Sequence, residues 1–558
     1  MNDSTDWPAD DAAGLAVFTA GDDARAALAT HLATLVADKV AGRIAAQDAT
    51  LWGPEAESEA SIRLSWVGLA DSSRPLVEPI LALRAELQAE GVDRVVLCGM
   101  GGSSLAPEVI AAEAGVDLVV LDSTDPGQVA AALVELERTV IVVSSKSGST
   151  VETDSQRRVF EKAFTDAGID AASRIVIVTD PGSPLEAASK EAGYRKVFNA
   201  DPGVGGRFSA LTAFGLVPSG LAGVDIGGLL DEAASVSDLL AEDSESNPAL
   251  VLGAVLGASP ASDGGLHDKI LITDSGSGLP GFGDWAEQLI AESTGKDHTG
   301  VLPVVVPSGR APESGAFDVV QVSLLAPESD GLPDGDGAAR AGVRGPLGAQ
   351  FLLWEYAVAV AGRLLGINPF DQPDVESAKK AARGLLDATP APEPALATDA
   401  GIEIRAHGDF LPASTSGSVT VVDAVSALLG QLGDRGFVAV MAYLDRLTNA
   451  RLADVRDGLA AVTGRPVTFG WGPRFLHSTG QFHKGGPPVG VYLQITADHP
   501  DDLAIPDRPF TFGQLISAQA AGDATVLAEH DRPVLRLNLT GAGALEQLIG
   551  ALGQARRA

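Results

Sequence analysis

The feature that most constrains the fold is a repeated order of short apolar runs, turns and amphipathic stretches. The apolar runs are Val92–Cys98, Asp117–Asp122, Thr139–Ser144, Arg174–Thr179, Lys269–Thr273, Val301–Val306, Phe437–Tyr443, Val489–Ile495 and Val534–Leu539. Strands that alternate with helices at this spacing form parallel sheets covered on both faces. We therefore predict an α/β fold of two doubly wound parallel-sheet sandwiches with helical extensions.

The length of 558 residues exceeds the usual size of a single core. We predict an N-terminal helical extension over residues 1–60, a first sandwich over 61–240 and a second over 241–558. Within the second, Pro alternates with Ala and acidic residues near 388–397, which is typical of a linker. Residues 307–345 are rich in Gly, Pro and Asp, which predicts irregular structure.

The charge balance and the cysteine content exclude several classes of protein. The formal net charge is −35, which argues against broad contact with nucleic acid or an anionic membrane. The single cysteine, Cys98, rules out an intrachain disulfide and a cysteine-based metal cluster. The first residues lack signal-peptide features, and no apolar run is long enough to span a bilayer. We expect a cytoplasmic protein.

Two of the predicted strands end in loops rich in Gly and Ser. Gly99–Ser104 follows Cys98, and Ser144–Thr150 follows Val143 and leads into a helix. Ligands of open parallel sheets bind beyond the carboxyl ends of the strands. A phosphate there would meet free backbone N–H groups, hydroxyls and the ammonium of Lys146. A single loop of this kind is more often a simple helix N-cap, but two in one domain favour phosphate binding.

These loops and three further segments resemble known motifs. The loop SSKSGST resembles the phosphate loop of sugar isomerase (SIS) domains. Four segments are similar to motifs of the glucose-6-phosphate isomerase family: GMGGSSLAP at 99–107, GGRFS at 205–209, QLIAESTGK at 288–296 and FDQPDVESAK at 370–379. The resemblance implies an SIS-type fold and reversible conversion of glucose 6-phosphate to fructose 6-phosphate, through ring opening and a cis-enediol. It implies a sugar phosphate as partner, a place in glycolysis and gluconeogenesis, and neither cofactor nor metal.

Glu292 is the candidate base. On a helix that starts at Asp284, it shares a largely apolar face with Trp285, Gln288 and Leu289. Such surroundings raise the pKa of a carboxyl group towards the working pH, as general-base chemistry prefers. A surface glutamate near a helix end is the alternative. The match of QLIAESTGK to the family segment that contains the base favours catalysis.

The resemblance assigns roles to further residues. Arg207 matches the family's arginine beside the enediolate oxygens, the alternative being an arginine that binds carbonyls in a Gly-rich turn. Lys379 matches the active-site lysine near the sugar ring oxygen, the alternative being a lysine that reaches out to solvent. The predicted substrate-binding residues are Gly102, Ser103, Ser145, Lys146, Ser147, Thr150 and Gln288.

The histidine for ring opening departs from the family pattern, which places it between the glutamate and the lysine motifs. No histidine lies between His298 and Lys379, whereas His477–Gln481 (HSTGQ), after the lysine, resembles the missing segment. We interpret the second half as rearranged, similar to the isomerase part of transaldolase/phosphoglucose isomerase proteins, although the length leaves no room for an aldolase barrel. His477 is our choice and His483 the runner-up; the alternative is that both only line a polar loop.

Two other functions remain open. One is a broader sugar-phosphate isomerase that also accepts mannose 6-phosphate. The other is a non-catalytic SIS protein that senses sugar phosphates, which would need none of Glu292, Arg207 and Lys379. Family members are usually dimers that share the histidine across the interface, so a homodimer is one expectation. The changed motif order leaves open whether His477 acts in its own subunit or its neighbour's.

Overall fold

The computed structural model of the chain describes residues 13–306, 311–335, 337–388, 393–411 and 419–557. The strands are β1 (Ala16–Ala20), β2 (Arg94–Gly99), β3 (Val119–Leu121), β4 (Thr139–Ser144), β5 (Ile175–Thr179), β6 (Lys196–Asn199), β7 (Lys269–Ser275), β8 (Leu302–Val306), β9 (Val319–Leu325), β10 (Ala339–Arg344), β11 (Ala397–Asp399), β12 (Ile402–His407), β13 (Phe437–Ala442), β14 (Val467–Trp471), β15 (Gly490–Ala497) and β16 (Val534–Leu539). These strands form three sheets in the described part of the chain.

Helices surround all three sheets. They are α1 (Asp22–Ala37), α2 (Val40–Ala45), α3 (Glu57–Ala60), α4 (Leu69–Ser72), α5 (Val77–Ala89), α6 (Leu105–Glu113), α7 (Pro126–Ala132), α8 (Val151–Asp166), α9 (Pro184–Ala192), α10 (Ala213–Ala222), α11 (Ile226–Ala241), α12 (Pro248–Ala258), α13 (Phe282–Thr294), α14 (Leu347–Leu365), α15 (Val375–Ala388), α16 (Val421–Leu429), α17 (Val455–Thr463), α18 (Gly480–Gly485), α19 (Phe512–Glu529) and α20 (Ala544–Gln554). Among the described helices, none is long and apolar enough to cross a membrane.

The first sheet is parallel throughout, in the order β3-β2-β4-β5-β6. Its central strands β2, β4 and β5 are almost wholly buried, because both faces are covered and every side chain meets a helix or a loop. The strand order reverses around β2, where Gly99 pairs with Ser144. Both Gly/Ser-rich loops therefore leave the sheet side by side at its topological switch point.

The second sheet has the order β1-β10-β9-β7-β8 and is parallel except for β1. The strand β1 falls in the segment predicted to be helical, and β9 and β10 fall in 307–345, predicted to be irregular; both predictions are wrong there. Turns rich in Gly, Pro and Asp separate these short strands. The composition of the turns dominated the prediction, so the apolar residues of the strands were not recognised. In the structure β1 covers the edge strand β10 through antiparallel pairing.

The third sheet has the order β11-β12-β16-β15-β13-β14, and its strands β13 to β16 are parallel. One face packs on α16, α17 and α20, and the other shares a core with the second sheet through Phe437 and Tyr492. The α/β class with parallel sheets is confirmed. We predicted two sheets, and the structure has a third in its described part. Strand β13 pairs with β14 on one edge and with β15 on the other, so it has no free edge on which to join the second sheet.

Charged contacts join the third sheet to the first. Arg474, in the turn after β14, pairs with Glu108 of α6 at 2.6 Å and with Asp122 after β3. Arg446, after β13, donates to Glu108 at 2.9 Å. These pairs hold the segment that carries His477 against the carboxyl edge of the first sheet. The domain boundaries at 60/61 and 240/241 stay predictions, and residues 389–392 of the predicted linker lie outside the described residues.

Candidate active site

The loop Ser144–Thr150 connects β4 to α8 and curls around its own hydroxyl groups. The Oγ of Ser145 lies 3.1 Å from Oγ1 of Thr150 and accepts the N–H of Gly148 at 3.1 Å. Gly148 has a φ of 72°, and an added Cβ there would overlap Leu185. The loop therefore needs a glycine at this turn. It ends at the N-terminus of α8, where the first N–H groups have no acceptor within the helix and the side chain of Thr150 does not cap them.

A cleft of about 260 Å³ opens next to this loop. It is lined by Ser147, Ser149, Thr150, Val151, Glu152, Lys379, Ala382, Arg383, Leu386, Leu476, His477, Lys484, Leu515 and Gln519. The structure thus brings Ser147 and Thr150 of the first sheet's loop together with Lys379 of α15 and His477, which follows β14. Helix α15 is placed by its contact with α19, where Gly522 lets the backbone at Ala382 approach closely.

The imidazole of His477 pairs with a carboxylate that the sequence did not single out. Nε2 of His477 lies 3.2 Å from Oε1 of Glu152, which also accepts a hydrogen bond from Nε2 of Gln519 at 2.8 Å. Burial by itself would raise the pKa of Glu152, but the hydrogen bond and charge of His477 outweigh it and hold this pKa below its usual value. In the sequence Glu152 looks like an ordinary acidic residue in the first turn of a helix.

Glu292 lies in the last turn of α13 and is only 5% exposed. Its Oε2 lies 3.3 Å from Nη1 of Arg207, and its Oε1 lies 3.4 Å from Nε2 of Gln288. Burial raises the pKa of Glu292, and the nearby Arg207 guanidinium offsets part of that rise. Nε2 of Gln288 also donates to the backbone carbonyl of His477 at 2.8 Å. Gln288 therefore connects the buried Glu292 to the residue that lines the cleft.

Arg207 is buried in the turn between β6 and α10 and binds the segment before α15. Its Nη2 donates to the carbonyls of Pro369 at 2.7 Å and Asp371 at 2.9 Å, and its Nη1 lies 3.3 Å from Oε1 of Gln372. Its Nε is buried and has no hydrogen-bond partner among the described residues. One N–H of the guanidinium is therefore left to meet a negative group, beside the carboxylate of Glu292.

The first Gly-rich loop packs directly on the turn that carries Arg207. An added Cβ on Gly102 would overlap the carbonyl of Gly206, and Oγ of Ser209 donates to the carbonyl of Gly102 at 3.1 Å. Gly102 is buried and Ser103 is half-buried, and neither lines the cleft. In the structure Gly102 sets the distance between two loops.

Ser145 and Lys146 lie outside the lining of the cleft as well. The ammonium of Lys146 donates to the carbonyls of Pro202, at 3.2 Å, and Val204, and lies 3.4 Å from Oδ2 of Asp180. Burial lowers the pKa of Lys146, and Asp180 partly opposes this change. The structure therefore does not bring the Lys146 ammonium to the side chains of Ser147 and Thr150 that line the cleft.

The structure distinguishes the two candidate histidines. His477 lines the cleft, whereas His483 is buried among the rings of Phe437, Phe475 and Tyr492 and has no hydrogen-bond partner in the described part of the chain. Burial lowers the pKa of His483 well below its usual value. Its neutral ring serves as part of the core. Among the described residues, no group of three or more His, Cys, Asp or Glu is placed to hold a metal.

Comparison with known proteins identifies the family of this chain. The family model described as phosphoglucose isomerase matches residues 84–302, which include both Gly/Ser loops, Arg207 and Glu292. A probable glucose-6-phosphate isomerase of Natronomonas pharaonis is 32% identical over 379 residues, which are 59% of this chain and 87% of the relative. The chain belongs to the phosphoglucose isomerase family.

Two further proteins are similar to parts of this chain. A probable glucose-6-phosphate isomerase of Haloarcula marismortui is 37% identical over 216 residues, and the chain spans about half, 49%, of that relative's length. The solved structure of a hypothetical protein from Thermus thermophilus is 26% identical, with a TM-score of 0.54, over 67% of this chain and 99% of that one. Lys379 and His477 lie beyond the residues that the phosphoglucose isomerase model matches.

Proposed function

We propose that this member of the phosphoglucose isomerase family catalyses the reversible isomerisation of glucose 6-phosphate to fructose 6-phosphate, through ring opening and a cis-enediol. One observation carries the proposal. The ion pair of Glu292 and Arg207, 3.3 Å apart, is joined through Gln288 to His477, whose ring lines the same cleft as the phosphate loop. A sugar whose phosphate is held by the loop would extend towards the base.

The phosphate end of the cleft uses hydroxyls and a helix start. Ser147 and Thr150 line it, and Ser145 shapes the loop through its bonds to Thr150 and Gly148. The partial positive charge at the N-terminus of α8 favours a dianion there. For Lys146 and Ser103 we propose a supporting role, because their side chains lie outside the cleft. Lys146 instead joins the loop to the carbonyls at 202 and 204.

Ring opening is assigned to His477 with Glu152. The carboxylate holds Nε2–H of the imidazole, which leaves the lone pair of Nδ1 to accept the proton of the anomeric hydroxyl. As the bond between C1 and the ring oxygen breaks, the ammonium of Lys379 donates a proton to that oxygen. The open-chain aldehyde would then extend past His477 towards Glu292, to which Gln288 connects the carbonyl of His477.

Glu292 would transfer the proton between C2 and C1. Burial keeps the carboxylate poorly solvated and raises its pKa, so it is a stronger base than an exposed glutamate. Removal of the C2 proton places negative charge on the enediolate oxygen. Arg207 is fixed by the carbonyls of Pro369 and Asp371, and its unpartnered Nε–H is available to that oxygen. This charge develops only during the reaction, as effective catalysis requires.

We also propose that all these groups come from one subunit. Arg207 binds the backbone at 369 and 371, directly before the helix of Lys379. Gln481, next to the His477 turn, exchanges hydrogen bonds with Asp374 at 2.6 and 3.0 Å. These hydrogen bonds within one chain hold the segments of Lys379 and His477 next to the same Arg207. A homodimer would then hold two complete sites, and we place the enzyme in the cytoplasm with its phosphorylated substrates.

A coupled assay that detects glucose 6-phosphate formed from fructose 6-phosphate tests the proposal. We expect turnover by the wild type and a loss of about 10²–10⁴-fold in kcat for Glu292→Gln, with affinity for glucitol 6-phosphate unchanged. Glu287→Gln, on the same helix and in contact with Ser478, is the matched control and should keep most of the activity. An inactive wild type that still binds glucitol 6-phosphate would favour a sensor instead.

A further inference from the structure

A second cleft, of about 520 Å³, lies on the outer side of the phosphate loop. It is lined by Gly148, Ser149, Val151, Asp154, Arg158, Arg383, Leu386, Arg508 and Phe510. The two clefts share Ser149, Val151, Arg383 and Leu386. The start of α8 and the loop before it thus line both clefts. A ligand bound in one cleft would lie next to the opening of the other.

Positive charge concentrates in this outer cleft. Its lining contains three arginines and one acidic residue, Asp154, in a chain whose formal net charge is −35. Asp154 accepts hydrogen bonds from Arg158 at 2.7 Å, Arg508 at 2.7 Å and also Arg157 at 2.8 Å. Arg157 also pairs with Glu161 at 2.7 Å, and Arg158 pairs with Asp507 at 3.4 Å. Three carboxylates thus face these three guanidiniums, and the excess positive charge of the cleft comes from Arg383.

Arg383 joins the two clefts. It lies one helical turn after Lys379 on α15, so both residues face the same side of the helix. Arg383 is exposed and has no ion-pair partner among the described residues. A guanidinium in this position presents several N–H donors to anionic oxygens next to Ser149.

We propose that this outer cleft is a second anion subsite, which takes the distal phosphoryl group of a diphosphate whose proximal phosphoryl group sits in the sugar-phosphate loop. The proposal rests on the proposed function, since the loop is the anchor. The clefts adjoin at the loop, so the two phosphoryl groups must be directly linked, as in pyrophosphate or a diphosphate ester. Such a ligand would exclude the sugar phosphate and inhibit isomerisation.

Equilibrium titration with inorganic orthophosphate and pyrophosphate tests the subsite. We expect the wild type to bind pyrophosphate at least about tenfold more tightly than orthophosphate, and Arg383→Gln to lose about tenfold in affinity for pyrophosphate alone. Arg508→Gln should act in the same direction. Lys380→Gln, exposed on the same helix, is the matched control and should bind both anions as the wild type does.

Two results would overturn the subsite. One is an equal loss of affinity for both anions in Arg383→Gln, which would place Arg383 in the loop's own phosphate site. The other is an unchanged affinity for pyrophosphate in both arginine variants. Titration with ADP shows whether a diphosphate ester fits as well as free pyrophosphate. Turnover of fructose 6-phosphate is measured separately, so an inactive wild type that retains the pyrophosphate preference refutes the proposed function and not the subsite.

Discussion

The imidazole Nε2 of His477 lies 3.2 Å from Oε1 of Glu152, although 325 residues separate the two in the chain. Glu152 occupies the first turn of α8, two residues after the end of the phosphate loop. The helix start that would bind the phosphate therefore also orients the histidine. In the proposed mechanism, phosphate binding and ring opening would therefore depend on the same helix start.

Glu152→Gln should impair ring opening selectively. The amide cannot stabilise the imidazolium form of His477, so we expect kcat/KM for glucose 6-phosphate to fall about 10²–10³-fold. A four-carbon aldose phosphate, which forms no pyranose ring, is the control substrate, and its turnover should change much less. A uniform loss with both substrates would mean that Glu152 only supports the fold.

The acidic limb of the pH profile should report Glu292. Its pKa is raised by burial and the base must be ionised, so kcat/KM should fall as the pH decreases through a value above 4.5. In Arg207→Gln the cation that lowers the pKa of Glu292 is gone, and we expect the acidic limb to move further towards neutral pH, with a much lower maximal rate. Arg207→Lys keeps a positive charge and should show a smaller displacement. Rates of fructose 6-phosphate turnover between pH 4 and 9 would show whether the limb moves.

A mixing experiment tests whether one chain supplies the whole site. Glu292→Gln and His477→Ala are each expected to be inactive, and their co-expression should restore no activity if both residues act within the same subunit. Subunits that exchanged the histidine would instead form mixed dimers with one intact site, and about a quarter of the wild-type activity would return. Activity at that level would refute the assignment to a single subunit.

Gly102→Ala should separate the two interlocked loops. The added Cβ would overlap the carbonyl of Gly206 and push the Arg207 turn away from Glu292. We expect a loss of about 1–3 kcal/mol in the free energy of unfolding together with a large fall in kcat. Gly206→Ala is the matched control for stability, because its added Cβ meets no atom within 4 Å. Chemical denaturation of both variants measures the difference.

Much of the fold could be predicted from local patterns. The run at 139–144 predicted β4 with its observed bounds, and α13 starts two residues before the predicted Asp284. Strand β1 and the separate third sheet were not predicted, because the pairing of a strand depends on contacts with residues far away in the chain. The linker near 388–397 separates α15 from β11, but its composition carries no information about which sheet follows.

The sequence by itself determined the α/β class, the Gly/Ser-rich loop at 144–150 and the motifs around Arg207, Glu292 and Lys379, because each is a pattern within about ten neighbouring residues. Only the tertiary structure decided that His477 and not His483 reaches the cleft, that Glu152 is its partner, and that the ammonium of Lys146 contacts the carbonyls at 202 and 204. These outcomes depend on the third sheet, which ion pairs between Arg474, Glu108 and Asp122 hold against the first. Distances across hundreds of residues follow from packing, which local patterns do not encode.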